Sequence, residues 1–235
     1  MRFKSSLRAA PADFKPENVP YLRLIHTQDL TVLETQSQKI NGSRLKRALD
    51  VCLSSGMILF LLPALLVIAA LIKITSPGPI LFRQQRYGVG GRKFWILKFR
   101  TMRVLEAHGP FSQARLHDTR VTPIGSWLRR SSMDELPQLF NVLAGSMSLV
   151  GPRPHAVAMD DYFGAFIPDF TARHLVRPGV TGLAQITGYR GPTEDIEAIA
   201  GRVGCDISYI RSWSPATDIL ILLRTPGALF GRNAF

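Results

Sequence analysis

Hydrophobic positions are unevenly spread along the chain, and one run dominates the pattern. From Met57 to Ile72, sixteen consecutive residues carry no polar side chain. Counted back to Ala48, with Asp50, Ser54 and Ser55 tolerated, the run reaches the ~20 residues a helix needs to cross a bilayer core. Two features set it apart from a plain span. Pro63 stands in its middle, where it removes a backbone hydrogen bond and crowds the preceding turn. Basic residues flank both ends: Lys39, Arg44, Lys46 and Arg47 before it, Lys73, Arg83, Arg86, Arg92 and Lys93 after it. Such flanks prefer the cytoplasmic side. A helix that enters, bends at Pro63 and returns to the same face satisfies both flanks and leaves Asp50 near headgroup level. A straight span with a mild kink and a buried core helix are the alternatives.

The remaining pattern is shorter in period. Residues 1–43 are mixed, with Pro11, Pro16 and Pro20 near the start and a break at Asn41-Gly42-Ser43, and read as a tail with some local structure. Ser76-Pro77-Gly78-Pro79 stops the apolar helix. Ile80-Leu81-Phe82 and Phe94–Phe99 are short strands around the turn Gly88-Val89-Gly90-Gly91, which predicts a β-hairpin. Those glycines complete no nucleotide-binding pattern. Residues 105–118 read as a polar loop, and Trp127–Arg130 as a short helix. Leu136, Leu139, Phe140 and Leu143 recur at helical spacing, which puts Asp134 and Glu135 in the first turn of that helix. The predicted class is α+β and mainly helical. A re-entrant membrane helix over 44–75 follows the tail, and a small membrane-surface domain with a short β-hairpin fills 76–235.

Charge adds a partner class. The net charge is +12, concentrated in the front of the chain: residues 83–130 hold eleven Lys/Arg against two acids. This suits an anionic membrane face, a phosphorylated ligand or nucleic acid. The aromatic-interleaved basic stripe of single-strand binders is missing, so no nucleic-acid partner is expected. After Lys98 there is no lysine but there are fourteen arginines. Arginine grips phosphate bidentately, and compositional bias produces the same count. Cys52 and Cys205 form neither a metal-ligand spacing nor a disulfide framework, which fits a reducing compartment.

The candidate chemistry centres on two acids. Ser132-Met133-Asp134-Glu135 reads locally as a helix capping box. Its setting allows a second reading. Arg129 and Arg130 precede it and a Pro/Arg loop follows, so a carboxylate nucleophile can stand beside a metal ligand. Gly151-Pro152-Arg153-Pro154 and Arg177-Pro178-Gly179-Val180-Thr181-Gly182 are rigid turns, each presenting an arginine. Either can be a plain turn; the pair suits a diphosphate clamp.

Together these segments resemble the bacterial sugar transferases, the polyprenyl-phosphate glycosyl-1-phosphate or monotopic phosphoglycosyl transferases. The likeness runs from Lys46-Arg47-Ala48-Leu49-Asp50 through Ile80-Leu81-Phe82-Arg83-Gln84, Leu97-Lys98-Phe99-Arg100-Thr101-Met102 and Ser132-Met133-Asp134-Glu135-Leu136-Pro137-Gln138-Leu139. It continues through Ser146-Met147-Ser148-Leu149-Val150-Gly151-Pro152-Arg153-Pro154 and Val176-Arg177-Pro178-Gly179-Val180-Thr181-Gly182 to Asp206-Ile207-Ser208-Tyr209-Ile210. It covers about residues 44–225 and excludes the first 43.

The resemblance implies a re-entrant helix bent at Pro63, although Leu62 stands where relatives often carry serine. It implies a catalytic domain on the cytoplasmic face of the bacterial inner membrane. Asp134 would be the nucleophile toward a UDP-sugar, releasing UMP, with undecaprenyl phosphate as acceptor. Glu135 would help hold Mg²⁺. Arg129 and Arg153 would engage phosphates, with Arg177 as a further candidate, and Asp218 would be another acid near the site. Short members of this kind start exopolysaccharide synthesis, which points to UDP-galactose or UDP-glucose as donor. Tyr189 interrupts the Gly-Arg pattern that relatives often show, so Arg190 is given no role. A non-catalytic scaffold of the same fold is the alternative, and the intact Asp134, Glu135, Arg129 and Arg153 count against it.

Overall fold

The computed structural model describes residues 27–103, 118–167, 169–189 and 196–229. Of the polar loop expected over 105–118, all but its last residue lies outside them, as does Arg190.

The segment expected as a tail contains a helix, α1 (Thr27–Gly42). Leu33 and Ile40 are buried in the main core, seven residues apart on one face. The break at Asn41-Gly42-Ser43 is real: Ser43 caps the next helix, α2 (Arg44–Thr75), its side chain accepting from the Lys46 amide.

α2 is a single helix of 32 residues with Pro63 inside it. At 1.5 Å per residue it is about 48 Å long, long and apolar enough to cross a membrane. A buried core helix does not fit its surface, since Leu59 is 74%, Phe60 84% and Ile74 81% exposed.

Both ends of α2 are fastened to the rest of the molecule. Near the start, Asp50 is buried in protein, its Oδ1 accepting from Ser148 Oγ at 3.1 Å and from the Leu149 amide at 2.9 Å. Near the end, Leu65, Ile68 and Ile72 form a cluster with Phe99 and Leu128. Arg100 closes that end, donating to the carbonyls of Pro77 and Ser76 at 2.6 and 2.7 Å. Cations satisfying the free carbonyls at a helix C-terminus suit its dipole.

The predicted hairpin is present. β1 (Leu81–Tyr87) pairs antiparallel with β2 (Lys93–Phe99), from Leu81 opposite Phe99 to Tyr87 opposite Lys93. The glycine turn between them needs Gly90 and Gly91 at φ of 63° and 71°, a conformation glycine adopts freely.

Next comes α3 (Pro123–Ser131), with Thr122 as N-cap and Pro123 in its first turn. A 3-10 turn (Met133–Glu135) and a short helix α4 (Gln138–Leu143) follow. β3 (Ser148–Val150) and β4 (Gly179–Thr181) form a parallel pair. Between them lie α5 (Val157–Gly164) and a 3-10 segment (Phe170–Leu175). α6 (Leu183–Ile186), α7 (Ile196–Ser212) and α8 (Pro215–Leu229) complete the described residues. The main core joins Ile96, Leu139, Val142, Leu149, Tyr209 and Ile221. A second cluster packs Met159 and Phe163 against Ile199 and Val203.

Candidate active site

The acid pair is not where the helical spacing placed it. Asp134 and Glu135 sit in the 3-10 turn, before α4 begins. Ser132 does not act as the expected cap: its φ is 56° and it makes no side-chain capping bond. It ends α3 instead, its amide donating to the Arg129 carbonyl. Pro137 contributes no amide to the turn, and the amides of Glu135, Leu136, Leu139 and Phe140 each bond three residues back. The capping-box and helix-dipole accounts therefore do not apply. The tight turn presents both carboxylates between Met133 and Leu136, which pack on the α2 cluster.

The two acids have different surroundings. Glu135 is held by two cations. Arg153 engages it as a fork, with Nη1 2.8 Å from Oε2 and Nη2 against Oε1. Lys98 Nζ lies 2.8 Å from Oε1. Burial opposes ionisation of Glu135, but Arg153 and Lys98 outweigh it and keep the carboxyl well below its usual range. Among the described residues, none donates a hydrogen bond to the Asp134 carboxylate. Burial pushes Asp134 up to about 6, with Glu135 adding to the rise while Lys98, Arg129 and Arg153 pull the other way. One acid is thus clamped and ionised, and its neighbour is left unclamped in a cationic setting.

Of the predicted phosphate-binding arginines, the structure brings two to the pair. Arg153 is in direct contact. Arg129 is close enough for its charge to act on Asp134, and its Nε donates to Thr101 Oγ1 at 2.9 Å. Arg177 is placed elsewhere. Its Nε donates to the Gly145 carbonyl and its Nη1 to the Asn41 carbonyl, at 3.1 and 3.2 Å, so it braces the join between α1 and the turn after α4. The two Pro/Arg loops do touch, but through backbone. The Gly151 amide donates to Thr181 and the Gly179 amide to Pro152, both at 2.9 Å. A Cβ on Gly179 would come within 2.1 Å of the Gly151 nitrogen, so only glycine allows this approach.

Asp218 is also away from the pair. It is buried in a tie with Lys46 Nζ at 2.7 Å, Tyr209 OH at 2.8 Å and Trp213 Nε1 at 3.1 Å. Lys46 also donates to the Val150 carbonyl at 3.0 Å, and the Tyr209 hydroxyl lies 3.2 Å from the same oxygen. The tie fixes the base of the Gly151–Pro154 loop to the start of α2 and to α7 and α8.

Sequence reasoning gave no site role to Lys98 or Arg86. Both point from the same hairpin face, with Arg86 on β1 and Lys98 on β2. The Arg86 guanidinium donates to Gln84 at 2.6 Å and contacts the Pro154 carbonyl, while its buried Nε has no partner. Burial, and then Arg153, pull it down to about 10. The readable signal was Lys98 itself, a charge at an alternate position beyond Ile96 on an inward strand face. Behind Arg153 lies a second polar layer. Arg173 Nη2 donates to the Arg153 carbonyl at 2.7 Å, and its Nη1 is 2.7 Å from His155 Nδ1. Asp160 meets His155 and His174, each at 3.1 Å. Asp206 balances Arg173 at 2.7 Å.

A helix long and apolar enough to cross a membrane thus has its far end packed beside an acid pair ringed by cations, a charge arrangement suited to anionic phosphate. The chain belongs to the bacterial sugar transferase family, whose profile matches residues 41–232. It is 52% identical over 191 residues to the UDP-glucose:undecaprenyl-phosphate glucose-1-phosphate transferase of Caulobacter vibrioides, covering 81% of this chain and 72% of that one. It is 44% identical over 210 residues to the Escherichia coli protein of the same name, and that match covers 88% of this chain and 45% of the relative. The exopolysaccharide production protein ExoY of Rhizobium meliloti is 35% identical over 218 residues, covering 86% of this chain and 93% of its own. This chain therefore spans under half of some relatives and nearly all of others.

Proposed function

We propose that this protein transfers a sugar 1-phosphate from a UDP-sugar to undecaprenyl phosphate, as the membrane step that opens exopolysaccharide synthesis. The relatives' names support UDP-glucose as the first donor to test, with UDP-N-acetylgalactosamine as the other. The observation that carries the mechanism is the contrast within the acid pair. Asp134 is unclamped, and with its pKa at about 6 it is mostly ionised at pH 7. It can attack without a base. Its carboxylate oxygen forms a bond to the β-phosphorus, the bond from that phosphorus to the bridging oxygen breaks, and UMP leaves. An oxygen of undecaprenyl phosphate then attacks the same phosphorus and displaces Asp134.

Arg153, Lys98 and Arg129 mask the diphosphate charge that would otherwise repel an anionic nucleophile. Magnesium fits this site as a partner of the substrate. It is bound in proteins through one or two carboxylates plus substrate phosphates, and the pair offers two, Glu135 foremost. When bound it supplies further charge neutralisation on the phosphates. Arg153 and Lys98 hold the Glu135 oxygens in this structure and would have to release them, toward phosphate, for Glu135 to hold the metal.

The reading places the site at the cytoplasmic face of the inner membrane, with α2 as a re-entrant element bent at Pro63. Support comes from the tethering of both α2 ends to one small domain. A straight span would put Asp50 and Arg100 on opposite sides of a core about 30 Å thick. The deciding experiment mixes the protein with UDP-glucose in the absence of acceptor and follows intact mass and UMP. A sugar-phosphate adduct that Asp134→Asn abolishes is the expected result. UMP release that survives Asp134→Asn would overturn the assignment.

A further inference from the structure

Next to Arg153, away from the Leu65–Ile72 end of α2, a shallow surface cleft lies between the hairpin tip and the Pro-Arg-Pro loop. Tyr87 and His174 form one wall, with ring centroids 5.6 Å apart and planes tilted by 43°. Pro152, Pro154 and Pro178 line the rest, and Arg153 stands at the edge shared with the acid pair. We propose that the nucleoside of the donor's nucleotide lies over the mouth of this shallow cleft, its ring packed on the outer faces of Tyr87 and His174, while the diphosphate lies across Arg153. This inference rests on the sugar-phosphate transfer proposed above and names the subsite that the leaving group occupies.

Three observations support it. First, the cleft is built. Consecutive acids of α5 pin its two rings: Tyr87 OH donates to Asp161 Oδ1 at 2.9 Å, and His174 Nε2 is 3.1 Å from Asp160 Oδ2. Phe170 meets His174 edge-on at 6.2 Å. Aromatic walls and prolines are already ordered, so binding a flat ring costs little further entropy.

Second, its position suits the reaction. Leu81, at the start of β1, packs on the α2 cluster. Tyr87 lies six residues further along the strand, about 20 Å away at ~3.4 Å per residue. The C-terminal end of α2, the acid pair and the cleft thus follow one another. A lipid acceptor reaches the acids from the α2 side, and the nucleotide leaves on the opposite side.

Third, the linking residue is shared. Arg153 both clamps Glu135 and borders the cleft. Its backbone is held by Arg173, another residue of the cleft wall. A ligand carrying a flat ring one diphosphate away from a reacting centre satisfies both ends of Arg153.

The test is calorimetric titration of the full-length protein in lipid nanodiscs with UMP and, separately, with inorganic pyrophosphate. Tyr87→Ala and His174→Gln are expected to weaken UMP about tenfold, the size of one base–aromatic contact, and to leave pyrophosphate affinity unchanged. Tyr87→Phe keeps the ring, loses the bond to Asp161, and is expected to bind UMP like the parent. Equal weakening of UMP and pyrophosphate, or unchanged UMP binding in both ring variants, would overturn the proposal. UMP release from UDP-glucose by the unmodified protein is read in parallel. If that release is missing while UMP still depends on the two rings, the transfer reaction fails and the nucleotide cleft stands.

Discussion

Replacing Asp134 by Asn should make the protein more stable while abolishing turnover. The native structure lifts this carboxyl from an ordinary 3.8 to about 6, chiefly by burial. A raised folded-state pKa means the folded chain holds the proton more tightly than the unfolded one. The native state is therefore favoured below pH 4 and loses that advantage as the pH rises through about 6. At 1.36 kcal/mol per pH unit the ceiling is about 3 kcal/mol. Asp134 is partly exposed, so solvent screening brings the expected gain to ~1–3 kcal/mol. Asn has nearly the same shape and no charge to desolvate. For a domain of this size, 1 kcal/mol moves Tm by about 2–4 °C. Thermal unfolding in nanodiscs, followed by tryptophan fluorescence, should place Asp134→Asn about 2–12 °C above the parent at pH 7.5. The gap should close at pH 4, where the parent's carboxyl is protonated. Glu135 is held well below its usual range by Arg153 and Lys98, so the change of the gap through about pH 6 follows Asp134. UMP release should fall roughly 10³-fold or more. No gain at pH 7.5, or an equal gain at pH 4, would refute the claim that this acid is a strained, unclamped group.

Turnover of the parent should decline as pH falls through about 6, in step with protonation of Asp134; a rate flat down to pH 4.5 would contradict an ionised nucleophile. Asp218→Ala strands the buried ammonium of Lys46, and should cost about 3–5 kcal/mol of stability in chemical unfolding. Its loss of activity should track unfolding, not the chemical step. Arg153→Ala should cut turnover by roughly 10²-fold or more, whereas Arg177→Ala should lower Tm and leave the turnover of folded protein close to the parent's. Cysteines at Arg44 and Lys73, in a background with Cys52 and Cys205 changed to Ser, should both react with an impermeant maleimide from the cytoplasmic side only; labelling from opposite sides would establish a straight span.

The elements with strong local signals were readable in the sequence. The hairpin has apolar strands around a glycine turn, and the apolar helix has length. The cap at Ser43 follows a visible break. The acid pair was found, but its backbone was misread, because Leu136, Leu139 and Phe140 keep helical spacing through a turn whose amides bond three residues back. One turn of either helix places such side chains on nearly the same face, and the pattern does not separate them. Arg153 and Arg177 looked equivalent, each held in a Pro/Gly turn. Only the pairing of β3 with β4 decides which of them faces the acids. Lys98 and Arg86 were missed for a related reason: the face a hairpin buries depends on what packs on it, and α4 and α5 come later in the chain.

The same packing ties the acid pair to the membrane-length helix α2. Met133 and Leu136 bracket Asp134 and Glu135 and rest on Leu65, Ile68 and Ile72 of α2. Lys98, which holds Glu135, sits next to Phe99 of that same cluster. The position of the carboxylates is thus set by the membrane element rather than by α3 or α4 alone. At the other end of α2, Lys46 reaches the Val150 carbonyl, and Val150 leads into the loop that aims Arg153. One helix therefore positions the acids through apolar contacts at its end, and their principal cation through a buried ammonium at its start. A tilt or bend in α2 would therefore move the carboxylates and Arg153 together.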